Sequence, residues 1–270
     1  MELACRPDPV RWPGRWVGLV GLVVAVGQIG CSGSLPPLRG QIAVGRDGYA
    51  VVVGGEGDLY AVRAQGGPVV PITFSRLAEL RPRLSPDGGR LGFLRGASAA
   101  DSTPATVWIM NLETGGERAV ALPRGAQRPD RLGWRADELV IAAADGRLYR
   151  VADRDGATAV PVAAGERAVA ESSLAVLLGQ PVFARVVPCA TPADLCVVGD
   201  TGAPGPLAAG ARDAARWGSD SVAFLVGDAI EVRPLGPGRP RVIEWSGLPG
   251  RPRQLTAFAG RPDTGSASQP

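Results

Sequence analysis

The sequence predicts an all-β chain built from about five repeated units, and three observations carry that expectation. Gly (38 residues) and Pro (25) are abundant and spread along all 270 positions, as many short strands and many turns require. Short apolar strands recur at intervals of 34–48 residues, each followed by a Gly-containing turn and a second apolar strand. Upstream of most of these hairpins lies a turn carrying an Asp, of which "SPDGG" (85–89) is the clearest.

The chain's first thirty residues stand apart from the repeats. Arg6, Arg11 and Arg15 make a basic start, followed by the apolar "WVGLVGLVVAVGQIG" (16–30) and Cys31. This pattern predicts an export signal over 1–30, shorter than the roughly twenty apolar residues a comfortable span needs. "QIGC" (28–31) resembles the lipobox of bacterial lipoproteins, in which a small residue precedes the Cys that receives the lipid. Ile29, Gly30 and Cys31 match that pattern, and Gln28 stands where Leu is preferred. The resemblance implies lipidation at Cys31 and a tether over 31–39. An uncleaved anchor, or a signal cut elsewhere, is the alternative.

The repeats follow in register. "LYAV" (59–62), "VWIM" (107–110), "LYRV" (148–151), "LCVV" (195–198) and "AIEV" (229–232) align as short strands. After their Gly turns come "VVPIT", "RAVAL", "TAVPV", "GPLAA" and "RVIEW". Upstream, "GRDGYAVVV" (45–53), "SPDGGRLGFL" (85–94), "WRADELVIAA" (134–143) and "WGSDSVAFLV" (217–226) share a turn with Asp and then a β-rich run. The fourth unit, near "ESSLAVLLG" (171–179), lacks the Asp. An Asp in such a turn bonds its own downstream backbone, so Asp87 is explained as structure before chemistry.

Four strands per unit of about 40–45 residues is the signature of a β-propeller blade. "RPRLSPDGGRLGFL…VWIMNLETGG" resembles the repeat of the TolB-type and WD-like propellers of bacterial exported proteins. The second unit matches from Pro82 to Gly116 and the others in part, over roughly residues 40–245. The resemblance implies a propeller of about five four-stranded blades over 40–259, with a disordered tail at 260–270. It does not extend to TolB itself, whose additional α/β domain has no counterpart ahead of the repeats here. A last strand-like stretch, "PRQLTAF" (252–258), is expected to close the ring on the first blade.

Composition excludes several chemistries. His is absent and all 29 basic residues are Arg, which removes His-dependent triads, dyads and zinc protease sites. A net charge of +3 is close to balance, unlike a dedicated nucleic-acid binder. The glycines of "VVVGGEGDLYAV" (51–62) precede a strand, not the helix a phosphate loop needs. Asp153 and Asp155 in "ADRDGAT" suggest a Ca²⁺ loop, but its twelfth position is Ala164 rather than Glu. No metal or cofactor is expected.

In an exported chain, Cys189 and Cys196 across a short loop are expected to form a disulfide. Tyr60, Trp108 and Tyr149 occupy equivalent places in the repeat and read as packing between blades, as do Trp134 and Trp217 at their turns. The function expected is non-catalytic: a membrane-tethered, extracytoplasmic binding scaffold for an envelope protein or glycan. The alternative is a carbohydrate-active enzyme with carboxylates meeting at the axial channel, for which Glu171 is a candidate. Carboxylates lining the channel would favour the enzyme; an Arg/Gly/Ala lining would favour binding.

Overall fold

The computed structural model describes residues 38, 40–96, 105–168, 170, 185–188, 195–198, 204–208, 210–234 and 237–261. Its regular structure is almost all strand, apart from a short 3₁₀ turn at Ala164–Glu166 and helical residues just after it at Arg167, Ala168 and Ala170. The first run of chain holds β1 (Tyr49–Val53), β2 (Leu59–Arg63), β3 (Gly67–Pro68) and β4 (Val70–Pro71). The second holds β5 (Ala78–Leu84), β6 (Arg90–Gly96), β7 (Thr106–Asn111) and β8 (Glu117–Val120). Next come β9 (Pro129–Arg135), β10 (Glu138–Ala143), β11 (Leu148–Ala152) and β12 (Val160–Pro161). The fourth run holds β13 (Arg185–Pro188), β14 (Leu195–Val198) and β15 (Pro204–Ala208). The last holds β16 (Ala211–Trp217), β17 (Ser221–Val226), β18 (Ala229–Pro234), β19 (Arg241–Ile243), β20 (Trp245–Ser246) and β21 (Leu255–Phe258).

These strands form four four-stranded sheets, ordered β21-β1-β2-β4, β5-β6-β7-β8, β9-β10-β11-β12 and β16-β17-β18-β19. A three-stranded sheet, β13-β14-β15, holds the fourth unit, and β20 pairs in parallel with β3. The expectation of four strands in every unit is therefore met in four sheets, and the fourth unit shows three strands among the described residues. The repeated strands that fixed the register are the third strand of each four-stranded sheet (β2, β7, β11, β18) and the middle strand of the three-stranded one (β14). Outer strands are short: β4 and β12 have two residues each.

Period-two alternation explains why the sheets stack. Along β1, Tyr49, Val51 and Val53 pack with Leu91, Phe93 and Met110 of the second sheet. The intervening Ala50 and Val52 pack the other way, with Ala223, Leu225 and Ile230 of the last. All five residues of β1 are buried. The second sheet's far face sends Leu94, Val107 and Ile109 against Leu132, Leu139 and Ile141 of the third. The first and second sheets thus each bury both faces against neighbours, which a lone sheet cannot do. Inner strands follow one another around an axis, β16 beside β21, β21 beside β5 and β5 beside β9. This is a β-propeller arrangement.

Ring closure joins the two ends of the described chain. β21 pairs antiparallel with β1, from Tyr49 opposite Phe258 to Val52 opposite Leu255. The Tyr49 and Phe258 rings meet edge to face at 6.0 Å, and the Tyr49 hydroxyl donates to the Gly88 carbonyl. Leu38, within the stretch expected as a tether, is packed: with Ile42 it lies in the first core cluster. The "QIAVG" stretch forms turns rather than a strand, with Gln41 and Ile42 N–H both donating to the Leu38 carbonyl.

Candidate functional site

The innermost strands are tied to one another side chain to backbone. From the last sheet to the first, the Leu255 N–H donates to Asp213 Oδ2 (2.8 Å). From the first to the second, the Leu84 N–H donates to Thr256 Oγ1 (3.0 Å), and the Arg81 N–H to Gln254 Oε1. From the second to the third, Trp134 Nε1 donates to the Arg83 carbonyl (2.8 Å), and Arg81 pairs with Asp130 (3.2 Å). The β-bulge between Leu80 and Arg83 places Arg81 at φ +54°, in the left-handed region, where its N–H can turn out of its own ladder.

This rim surrounds a cavity of about 410 Å³ at the end of the ring that carries the Asp turns. Four inner strands line it: β5 and its turn (Arg83, Ser85, Pro86), β9 (Gly133, Trp134), β16 (Ala214, Ala215, Arg216) and β21 (Thr256, Phe258). No carboxylate lines it among the described residues. Arg83 is half-buried, and burial pushes its guanidinium below the ordinary arginine value, with the Asp213 charge opposing. Burial pushes the Asp213 carboxyl up, against the Leu255 N–H, the Arg83 charge and the Ala214 N–H, which pull it down. Asp213 has both oxygens engaged, Oδ1 by the Ala214 N–H at 2.9 Å and Oδ2 by Leu255.

The Asp turn is structural, as its composition implies. Asp87 Oδ1 accepts from the Gly89 N–H (2.9 Å) and the Ser85 hydroxyl (2.5 Å). Its partial burial works the other way, yet these bonds hold the carboxyl below the ordinary aspartate range. Gly88 sits at φ +70°, and a Cβ there would lie 2.6 Å from the Phe258 ring. Asp153, the first residue of the suspected Ca²⁺ loop, is taken by the Arg90 guanidinium at 2.5 Å, and Asp155 is exposed.

The equivalent aromatics serve separate interfaces. Tyr60 packs between the first and last sheets, and Tyr149 between the second and third. Trp108 packs against the cluster shared by the first and second sheets, with the Arg95 guanidinium 4.4 Å from its ring centroid. Trp134 and Trp217 are buried in two different clusters. Arg95 also joins buried Glu79 (2.9 Å) to exposed Glu117 (2.8 Å), and Thr73 and Ser75 complete the bonding of Glu79.

Cys31, Cys189 and Glu171 lie outside the described residues. Cys196 lies in β14, opposite Val187 on one side and Pro206 on the other. Arg83, Arg216 and Asp213 were not singled out from sequence, although a signal exists. Four residues before the turn Asp of three units (Asp87, Asp137, Asp220) stand Arg83, Gly133 and Arg216, and all three line the cavity.

No protein-family model matches the chain, and no curated protein matches it. Among solved structures it is similar to TolB from Acinetobacter baumannii (TM-score 0.43, 12% identity), over 78% of this chain and 66% of that one. It is also similar to the tricorn protease (TM-score 0.39, 16% identity), over 80% of this chain and 24% of that one. A third is the C-terminal WD40 domain of Sif2 (TM-score 0.30, 15% identity), over 69% of this chain and 52% of that one. The chain spans less than two thirds of each of these three. The propeller assignment rests on the chain's own sheet order and closure.

Proposed function

We propose that the chain is a non-catalytic binding scaffold on the extracytoplasmic side of a bacterial envelope, tethered through lipid on Cys31. Its ring has five blades, the fourth unit supplying the fifth alongside the four four-stranded sheets. It presents its axial cavity and the surrounding turns to an envelope protein or glycan. The observation that carries this reading is the cavity lining: arginine, small residues and two aromatics, with no carboxylate among the described residues. Propeller glycosidases need carboxylates converging at such an opening. The near-balanced net charge of +3 supports a partner other than nucleic acid. A Cys189–Cys196 disulfide belongs to the same reading, and non-reducing peptide mapping of exported protein should recover the two linked.

The test is carried out in cells that express the protein. A photo-crosslinking residue at Pro86, on the cavity rim, should capture a discrete envelope partner, and one at exposed Val242 on β19 should not. Cys31→Ser should move the protein from membranes to the soluble fraction. Equal capture at both positions, or glycosidase activity abolished by Glu171→Gln, would overturn the scaffold reading.

A further inference from the structure

We propose that the axial cavity is an oxyanion site in which Arg83 and Arg216 receive a carboxylate or phosphate group. The proposal rests on the cavity being the binding face and adds the chemistry it recognises. Two arginines line one opening, and among the described residues neither forms an ion pair. Arg83 donates once, from Nη1 to the Pro82 carbonyl at 2.8 Å. Arg216 donates once, from Nε to the Gly218 carbonyl at 2.5 Å. By contrast, Arg90, Arg95, Arg118, Arg150 and Arg233 each meet a carboxylate.

Asp213 is the acid whose charge reaches Arg83, and both its oxygens are occupied by backbone N–H groups. An arginine stays charged even where burial disfavours the cation. The fold therefore keeps a half-buried guanidinium with most of its donors unused, facing a cavity with room for a small ligand. A planar fork of donors matches a carboxylate or phosphate in two-point fashion. Ser85, Trp134, Thr256 and Phe258 line the same cavity. The volume of about 410 Å³ lies within the usual range of small-molecule sites. The same chemistry can come from a free small anion or from the terminal carboxylate of a partner chain.

The experiment is calorimetric titration of the purified full chain with four probes. These are succinate, inorganic phosphate, N-acetyl-trialanine with a free carboxylate, and the same peptide amidated. At least one anionic probe should bind and the amidated peptide should not. Arg83→Gln should weaken binding about tenfold or more, as the loss of a charge-assisted contact implies. Arg216→Gln should weaken it less, and Arg147→Gln, in the turn between β10 and β11, should leave it unchanged. Binding of succinate or phosphate without the peptide assigns a free anion, and binding of the peptide that is lost on amidation assigns a chain end. Arg83→Gln could loosen the rim, so a second measurement uses the unaltered protein. Phenylglyoxal modification mapped by mass spectrometry should show Arg83, not Arg147, protected by the binding anion. No binding by any anionic probe, affinity unaffected by Arg83→Gln in a folded variant, or absence of protection overturns the site. Crosslinks at Pro86 that persist without anion binding remove this site and leave the scaffold reading intact.

Discussion

The second sheet and the first present one architecture supplied in two ways. β5–β8 come from a single run of chain, Ala78–Val120, each strand pairing with the next along it. In the first sheet the innermost strand, β21, arrives more than two hundred residues after its partner β1. The second sheet therefore depends on short loops, whereas the first depends on contacts that only the closed ring provides. Leu255 and Thr256 are buried, and the Phe258 ring reaches across to Tyr49 and to the Gly88 turn of the second sheet. The closing strand thus supports both sheets at once, a non-local pairing that loop entropy opposes until the rest has formed.

Removing the closing strand should have the largest effect. Truncation after Pro249 takes away β21, exposes the edge of β1 and uncovers Val52 and Ala50 beside it. Burial of Leu255 alone is worth about 2 kcal/mol, and with the lost edge the melting temperature should fall by more than about 10 °C. An open β1 edge should also promote self-association, visible by sedimentation. Truncation after Arg261 should shift melting by less than about 2 °C. If the two truncations melt alike, the first sheet does not depend on closure.

A smaller effect separates local from long-range support at the Asp turn. Gly88→Ala places a methyl in the left-handed region and against Phe258, and should cost about 2–4 kcal/mol by denaturant unfolding. In a Phe258→Ala background only the backbone penalty remains, about 1–2 kcal/mol. Equal costs in both backgrounds would show that the turn does not rest on the closing strand.

The smallest effects are pH-dependent and have opposite signs. Burial raises the Glu79 carboxyl above its ordinary value, against the bonds from Ser75, Arg95 and Thr73. The folded chain then holds that proton more tightly than the unfolded one, so its contribution is lost as pH rises through the folded value. Glu79→Gln should accordingly gain on the parent as pH climbs from about 4. Asp87 is held low, so its contribution is present above the unfolded value and lost as pH falls through the folded one. Asp87→Asn should lose ground to the parent as pH rises over the same interval. Stability difference curves measured from pH 3 to 7, as a rough span about both carboxylate values, check both signs. Parallel curves would remove the assignment.

The strands that repeat and the turns that punctuate them were legible because alternation is local. "YAVVV" and "LYAV" read as strands, and "SPDGG" as a turn, from neighbours within a few positions. The closing stretch was legible as well, since "QLTAF" is apolar and lacked a partner nearby. Two-residue outer strands such as Val160–Pro161 are too short to leave a periodic trace. Periodicity also does not say which strand of a sheet lies nearest the axis. Arg83 and Arg216 are far apart in sequence and share a cavity only because the ring turns both inner strands to one axis. Asp87 could be read as structural from its turn alone, whereas Asp213 in "GARDAARW" carries no local sign that it will bond the N–H of Leu255.

The pairing of β1 with β21 also sets how the ring responds to force. Tyr49, at the start of β1, lies opposite Phe258, at the end of β21. Tension applied between the start of β1 and the end of β21 therefore falls on one edge of an antiparallel ribbon. Its backbone bonds are loaded in turn, Phe258 leaving Tyr49 before Leu255 leaves Val52, rather than sheared together. Under a pull the ring should open like a zipper at low force. Load applied across β5–β8 would have to work against a sheet whose strands share no free end.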